Sequence, residues 1–120
     1  MENYKFCKNK KSGEILILLS NKEIDEELFE EITANSVDAA FEKHVPIYEA
    51  FDDYMTVRVG EDLHPMEDDH YIMWIAVVYE NNLEVVKLKP GDTPEANFKY
   101  VKGAKIYAYC NLHGLWKCEV

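Results

Sequence analysis

Near the C-terminus, Tyr109-Cys110-Asn111-Leu112-His113-Gly114-Leu115-Trp116 sets a thiol and an imidazole three positions apart, in a turn between two apolar runs. At that spacing Cys110 and His113 can converge on one cation, because thiolate sulfur and ring nitrogen both approach a first-row metal to about 2.0–2.3 Å. Asn111 and Gly114 suit such a turn, since both enter the left-handed backbone region at low steric cost. The chain's other imidazoles are His44, His64 and His70. Taken singly, each reads as a solvated or hydrogen-bonded loop residue. As a set they read as ligands, because each stands beside a predicted strand end and a rigid sheet can gather such loops at one pole. Several imidazoles with one thiolate make a borderline-soft donor set that suits iron, zinc or copper and excludes calcium and magnesium. Structural zinc closes with four ligands, and five candidates exceed that number. Four nitrogens in a plane with an axial sulfur would leave one position open for a small molecule at a redox-active iron.

The elements that must position these residues are legible in the apolar runs. Val45–Ala50, Met55–Val59, Tyr71–Tyr79, Leu83–Leu88, Ala96–Tyr100, Lys105–Cys110 and Leu115–Val120 are of strand length, separated by turn signals such as Gly60-Glu61-Asp62, Pro90-Gly91-Asp92 and Lys102-Gly103. Seven short strands at this spacing predict an antiparallel β-sandwich. Tyr71–Tyr79 is apolar on both faces, with Ile72, Trp74, Ala76 and Val78 on one and Met73, Ile75 and Val77 on the other, so it should be central or covered. Asn81-Asn82 suits a two-residue hairpin to the next strand. Ser36–His44 is a connection with at most one helical turn. Before it, Glu14–Leu19 reads as a strand and the basic stretch Tyr4–Lys11 as irregular. Ile24, Leu28, Phe29 and Ile32 fall at helical spacing behind a possible Asn21 cap, which predicts an amphipathic helix from about Lys22 to Thr33.

Composition narrows the function. At 120 residues the chain can bury one proper core, and 13 basic against 23 acidic side chains give a charge of −10, which argues against nucleic acid or an anionic membrane as partner. No apolar run reaches spanning length and the N-terminus has no secretory h-region, so a cytoplasmic protein is expected. Cys7, Cys110 and Cys118 are an odd, widely spaced set that reads as free thiols or ligands rather than a disulfide framework.

Several motifs together carry a resemblance. Glu42-Lys43-His44-Val45-Pro46, His64-Pro65-Met66 with His70-Tyr71-Ile72, Lys89-Pro90-Gly91-Asp92 with Pro94-Glu95-Ala96, and Tyr107 through Trp116 resemble the superoxide reductase family, the desulfoferrodoxins and neelaredoxins, in order from about Ser36 to Lys117. The resemblance implies a seven-stranded immunoglobulin-like β-sandwich over residues 36–120 that holds one iron. It implies His44, His64, His70 and His113 as equatorial ligands and Cys110 as the axial thiolate. The implied reaction is one-electron reduction of superoxide to hydrogen peroxide, with Glu42 binding the ferric resting state and Lys43 drawing in the anion or assisting its protonation. A local positive field matters in a chain of charge −10, and Lys102, Lys105 and Lys117 could add to it. Glu67-Asp68-Asp69 reads as a solvated loop, and Trp74, Tyr109 and Trp116 as core or site-lining residues.

The pattern departs at the N-terminus. Two-iron members begin with a domain that binds a second iron through four cysteines, whereas here only Cys7 remains, Lys10 stands where the next cysteine is expected and no Cys-Cys pair precedes Ser36. Residues 1–35 are therefore expected to be a strand/helix appendage without a second iron centre. Its electrons would come from an external donor, rubredoxin-like by the resemblance. A homo-oligomer, dimer or tetramer, is expected. Cys118 has no assigned role beyond a half-buried thiol. The competing reading is a non-catalytic metal-binding sandwich, either an electron carrier or a zinc-stabilised interaction module.

Overall fold

A computed structural model describes residues 4–20 and 23–120, which fall into two units, residues 1–33 and 34–120. In the first unit β1 (Lys5–Asn9), β2 (Ile15–Leu18) and β3 (Phe29–Glu31) form an antiparallel sheet in the order β2-β1-β3. β2 is the expected strand. β1 replaces the expected irregular stretch, because Phe6 and Cys7 at its middle are buried and supply the apolar anchor that the flanking lysines hide in the sequence.

The helix expected over 22–33 is corrected. Its proposed cap Asn21 and first residue Lys22 lie outside the described residues, and residues 23–33 hold one turn followed by β3. In that turn the Asp25 carboxylate accepts the Glu27 amide at 3.0 Å, and the Asp25 carbonyl accepts the amides of Leu28 and Phe29. The chain then extends so that Phe29, Glu30 and Glu31 pair with Asn9, Lys8 and Cys7. A twelve-residue helix is marginal by itself in water, while the free edge of β1 offers a partner for each backbone group, so pairing overrides the local periodicity.

The second unit contains the seven strands expected after Ser36. One helical turn, α1 (Phe41–His44), leads into β4 (Pro46–Phe51), β5 (Tyr54–Val59), β6 (Ile72–Tyr79), β7 (Asn82–Lys87), β8 (Glu95–Lys99), β9 (Lys105–Cys110) and β10 (Gly114–Glu119). They form two antiparallel sheets, β10-β9-β6-β7 and β4-β5-β8. The fold is thus mainly β, with three antiparallel sheets in the whole described chain. Met55, Val57 and Val59 of β5, Phe98 of β8, Ile72, Ile75 and Val77 of β6, and Ile106, Ala108 and Cys110 of β9 bury one another in a single cluster. Each such aliphatic side chain contributes about 1.5–3 kcal/mol by leaving water. Because Cys110 belongs to that cluster, the core itself anchors the thiol.

Two local expectations shift. In β6, Ile72 pairs with Cys110 but Trp74 with Tyr109, so Met73 is an extra residue. This bulge resets the alternation, and Ile72 joins Ile75 and Val77 in the core instead of sharing a face with Trp74. The β6–β7 hairpin turns on Glu80 and Asn81, one residue earlier than expected, with Tyr79 opposite Asn82 and Glu80 at φ 51°. The register that buries β6 fixes where the turn falls, against the better positive-φ tolerance of Asn82.

Candidate metal centre

Cys110 ends β9 opposite Gly114, and the three residues between them, Asn111, Leu112 and His113, form the loop to β10. Gly114 takes φ 81°, the left-handed position that a three-residue hairpin needs. The thiol at the base of this loop is fully buried, and the backbone amides of Leu112 and His113 act on it from the loop. Burial pushes the Cys110 thiol up, and these two amides pull it back. His113 is held from behind, since its carbonyl accepts the Trp116 indole N–H at 3.1 Å.

His44 closes α1, and the helical turn brings its Nδ1 to 2.7 Å from the carbonyl of Ala40, four residues earlier. A carbonyl only accepts, so Nδ1 carries the proton and Nε2 keeps the lone pair. Trp116, itself fully buried, stacks on the His44 ring with centroids 4.9 Å apart, and Phe41 packs edge-on against Trp116. His64 repeats the arrangement, with Nδ1 donating to the Pro65 carbonyl at 2.7 Å. His70 lies between Asp69 and Tyr71 in the loop before β6, where it forms an isolated bridge with Glu67.

One ligand atom from each of His44, His64, His70 and Cys110 lies within 4.8 Å of the others. His113 adds a fifth: its Nδ1 is 3.1 Å from His44 Nε2 and 3.9 Å from Cys110 Sγ. These side chains come from three segments: α1, the loop between β5 and β6, and the end of β9 with the loop that follows it. The Nε2 atoms of His64 and His70 are buried without a hydrogen-bond partner among the described residues. Buried polar atoms normally have partners, so these two orphaned lone pairs, aimed where other ring nitrogens and a sulfur meet, fit a cation. The borderline-soft donor set fits iron. Burial, reinforced by the neighbouring imidazoles, lowers the His44 pKa and takes that of His64 down to about 4, although each carbonyl bond opposes this. Both rings are therefore neutral ligands at physiological pH.

Glu42 and Lys43 occupy the same turn as His44 but are exposed. Gly60 and Asn111 are expected in turns and Trp116 in the core or site lining, and the contacts through which these three shape the site come from the fold. Gly60, at φ 87°, lets the loop after β5 cross α1, where an added Cβ would stand 2.3 Å from the Asp62 carbonyl oxygen and 2.6 Å from that of Lys43. Across the same contact the Gly60 amide donates to Val45 and the Asp62 amide to Glu42. Trp116 supports two imidazoles at once, and Asn111 hydrogen-bonds to the His70 loop. A Gly beside two acidic residues did signal a turn at Gly60; the close approach did not show.

Fold and site together define a β-sheet metalloprotein with a mixed imidazole and thiolate centre. The desulfoferrodoxin family matches residues 36–119, and the chain belongs to that family. A desulfoferrodoxin of Syntrophotalea carbinolica is 47% identical over 89 residues, which are 73% of this chain and 71% of the relative. One from Clostridium acetobutylicum is 41% identical and aligns over 93% of both chains. Among solved structures, the superoxide reductase from Treponema pallidum superposes with a TM-score of 0.76 at 26% identity, covering 98% of this chain and 100% of its own. Among the described residues, the three histidines and one cysteine, His44, His64, His70 and Cys110, form one iron-binding site. In residues 1–33 the one cysteine is Cys7, buried in β1, so a four-cysteine centre cannot be assembled there. Among the described residues no helix is long and apolar enough to cross a membrane.

Proposed function

We propose that this chain is a superoxide reductase whose iron is held by His44, His64, His70, His113 and Cys110. The observation that carries the reading is the convergence of two buried imidazoles, His44 and His64, the half-buried His70 and a buried thiol, with orphaned Nε2 atoms on His64 and His70, in a desulfoferrodoxin chain. Iron held by these residues would supply the one electron that, with two protons, converts superoxide to hydrogen peroxide. The protein's own groups make that possible. Carbonyl bonds from Ala40 and Pro65 fix the tautomers of His44 and His64. The backbone amides of Leu112 and His113 oppose the effect of burial on Cys110 and favour its thiolate form, the form a metal takes up. The Cys110 thiolate would donate electron density to an iron held here, which would favour reduction of a bound substrate.

Lys43, exposed one residue before His44, is proposed to draw the superoxide anion in against the overall charge of −10 and to assist its protonation. Glu42 is proposed to bind the ferric resting state. Seven strands in two sheets with a shared core support an immunoglobulin-like sandwich over residues 36–120, and the family match beginning at residue 36 supports a boundary after the 1–35 appendage. Reduction needs an external electron donor, proposed to be rubredoxin-like, because the appendage lacks the cysteines for a second centre. Three free cysteines suit a reducing compartment such as the cytoplasm, and sedimentation tests the proposed dimer or tetramer.

The test is anaerobic purification with iron quantitation, an absorption spectrum on oxidation and a superoxide pulse. One iron per chain, a thiolate-to-iron charge-transfer band on oxidation and fast appearance of that band when the reduced protein meets the superoxide pulse are expected. Zinc in place of iron, with no reaction of the reduced protein, would refute the reading.

A further inference from the structure

His70 sits in a loop whose nearest regular element is β6, two residues on, and its own bridge to Glu67 is local to that loop. What ties the loop to the rest of the site is Asn111, the residue directly after Cys110. Its side-chain Oδ1 accepts the Tyr71 amide at 2.9 Å, and its Nδ2 donates to the Asp69 carbonyl at 3.1 Å. Its main-chain amide donates to the Tyr71 carbonyl at 3.2 Å. The peptide groups on both sides of His70 are thus bonded to one residue, and that residue is covalently attached to the thiol-bearing one. We propose that Asn111 is a positioning residue that fixes His70 relative to Cys110, so that His70 Nε2 faces the metal before the metal arrives.

The chemistry selects asparagine. The position needs one donor and one acceptor at short reach. Alanine offers neither, and aspartate keeps an acceptor for Tyr71 but turns a second oxygen toward the Asp69 carbonyl, where two acceptors repel. The bridge spans 40 residues of chain, from Tyr71 to Asn111, so without the side chain the His70 loop keeps only the main-chain bond from the Asn111 amide and its junction with β6. An imidazole that must be ordered on binding weakens the site by the cost of that ordering, and partners that orient ligands typically change metal affinity by about 10–100-fold. The inference rests on the metal-centre reading, and it concerns affinity, not turnover.

The experiment measures Co(II) affinity of the full-length metal-depleted chain by chelator competition, read on the thiolate-to-cobalt charge-transfer band, in wild type, Asn111→Ala, His70→Ala and the double variant. Asn111→Ala is expected to weaken Co(II) by about 10–100-fold, and to add less than about twofold once His70 is already alanine, since coupled residues are non-additive. An affinity of Asn111→Ala within twofold of wild type overturns the inference, as does the same loss in both backgrounds, which would mark a general effect on the fold. If Asn111→Ala fails to fold, the near-isosteric Asn111→Asp takes its place. A Co(II) affinity weakened in Asn111→Asp but not in the double variant over His70→Ala alone supports the inference; equal affinity to wild type overturns it. Should His70→Ala itself bind Co(II) like wild type, His70 is not a ligand and the metal-centre reading falls first.

Discussion

Gly60 makes the sharpest demand of any single residue outside the ligand set. Replacing it with alanine adds a Cβ 2.3 Å from the Asp62 carbonyl oxygen, 2.6 Å from the Lys43 carbonyl oxygen and 2.8 Å from the Lys43 carbonyl carbon. All three are backbone atoms, which cannot swing aside as a side chain can. The φ of 87° adds roughly 1–3 kcal/mol of strain for any residue with a Cβ, and forcing the two segments apart costs a further 1–3 kcal/mol or so. Gly91, at φ 91° with nothing within 4 Å of its added Cβ, carries the strain without the collision. Gly60→Ala should therefore lose about 2–6 kcal/mol and Gly91→Ala about 1–3 kcal/mol. Urea unfolding of the protein as purified, followed by far-ultraviolet circular dichroism, gives both values at constant slope. The displaced Lys43 peptide adjoins His44, so Gly60→Ala should also weaken metal binding while Gly91→Ala does not. Equal stability losses in the two variants, with equal metal affinity, would show that the crossing at Gly60 is not the tight contact described.

Cys110→Ser should leave the sheets folded and abolish both the charge-transfer band and the reaction with superoxide; retained activity would remove Cys110 from the ligand set. Lys43→Ala should slow the encounter at low salt by roughly twofold, since a unit charge about 8 Å away in water is worth about 0.5 kcal/mol, and should flatten the salt dependence; stopped-flow rates across ionic strength check both. In the metal-free protein, burial depresses the His44 and His64 pKa values, that of His64 to about 4. Between that value and about 6.5 the unfolded chain binds more protons than the native one, so stability is full above pH 6.5 and is lost as pH falls toward 4. Urea midpoints that stay flat over that window would contradict the burial of His64.

Most of the strand scaffold was legible because its signals are local. A strand apolar over its whole length, such as Ile72–Tyr79, or a run closed by Lys102-Gly103, announces itself through residues adjacent in the chain. The residues 22–33 misled for the same reason: Ile24, Leu28, Phe29 and Ile32 carry a helical period, yet the free edge of β1 decides their conformation, and β1 is itself anchored by only two apolar side chains. The bulge at Met73 could not be read from β6, because it is a relation between β6 and β9 that brings Ile72 opposite Cys110.

The sequence by itself determined the donor chemistry, because four imidazoles and one turn cysteine beside strand ends allow few metals whatever the fold. It also determined that residues 1–33 cannot hold a second four-cysteine centre, since that follows from counting thiols. Only the tertiary structure decided how the ligands are held. That Gly60 must lack a Cβ, that Trp116 supports both His44 and His113, and that Asn111 bonds to both sides of His70 are contacts between residues 2 to 72 positions apart along the chain. Hydrogen bonds and van der Waals contacts act over a few ångströms of space, and sequence separation carries no information about which residues come within that reach.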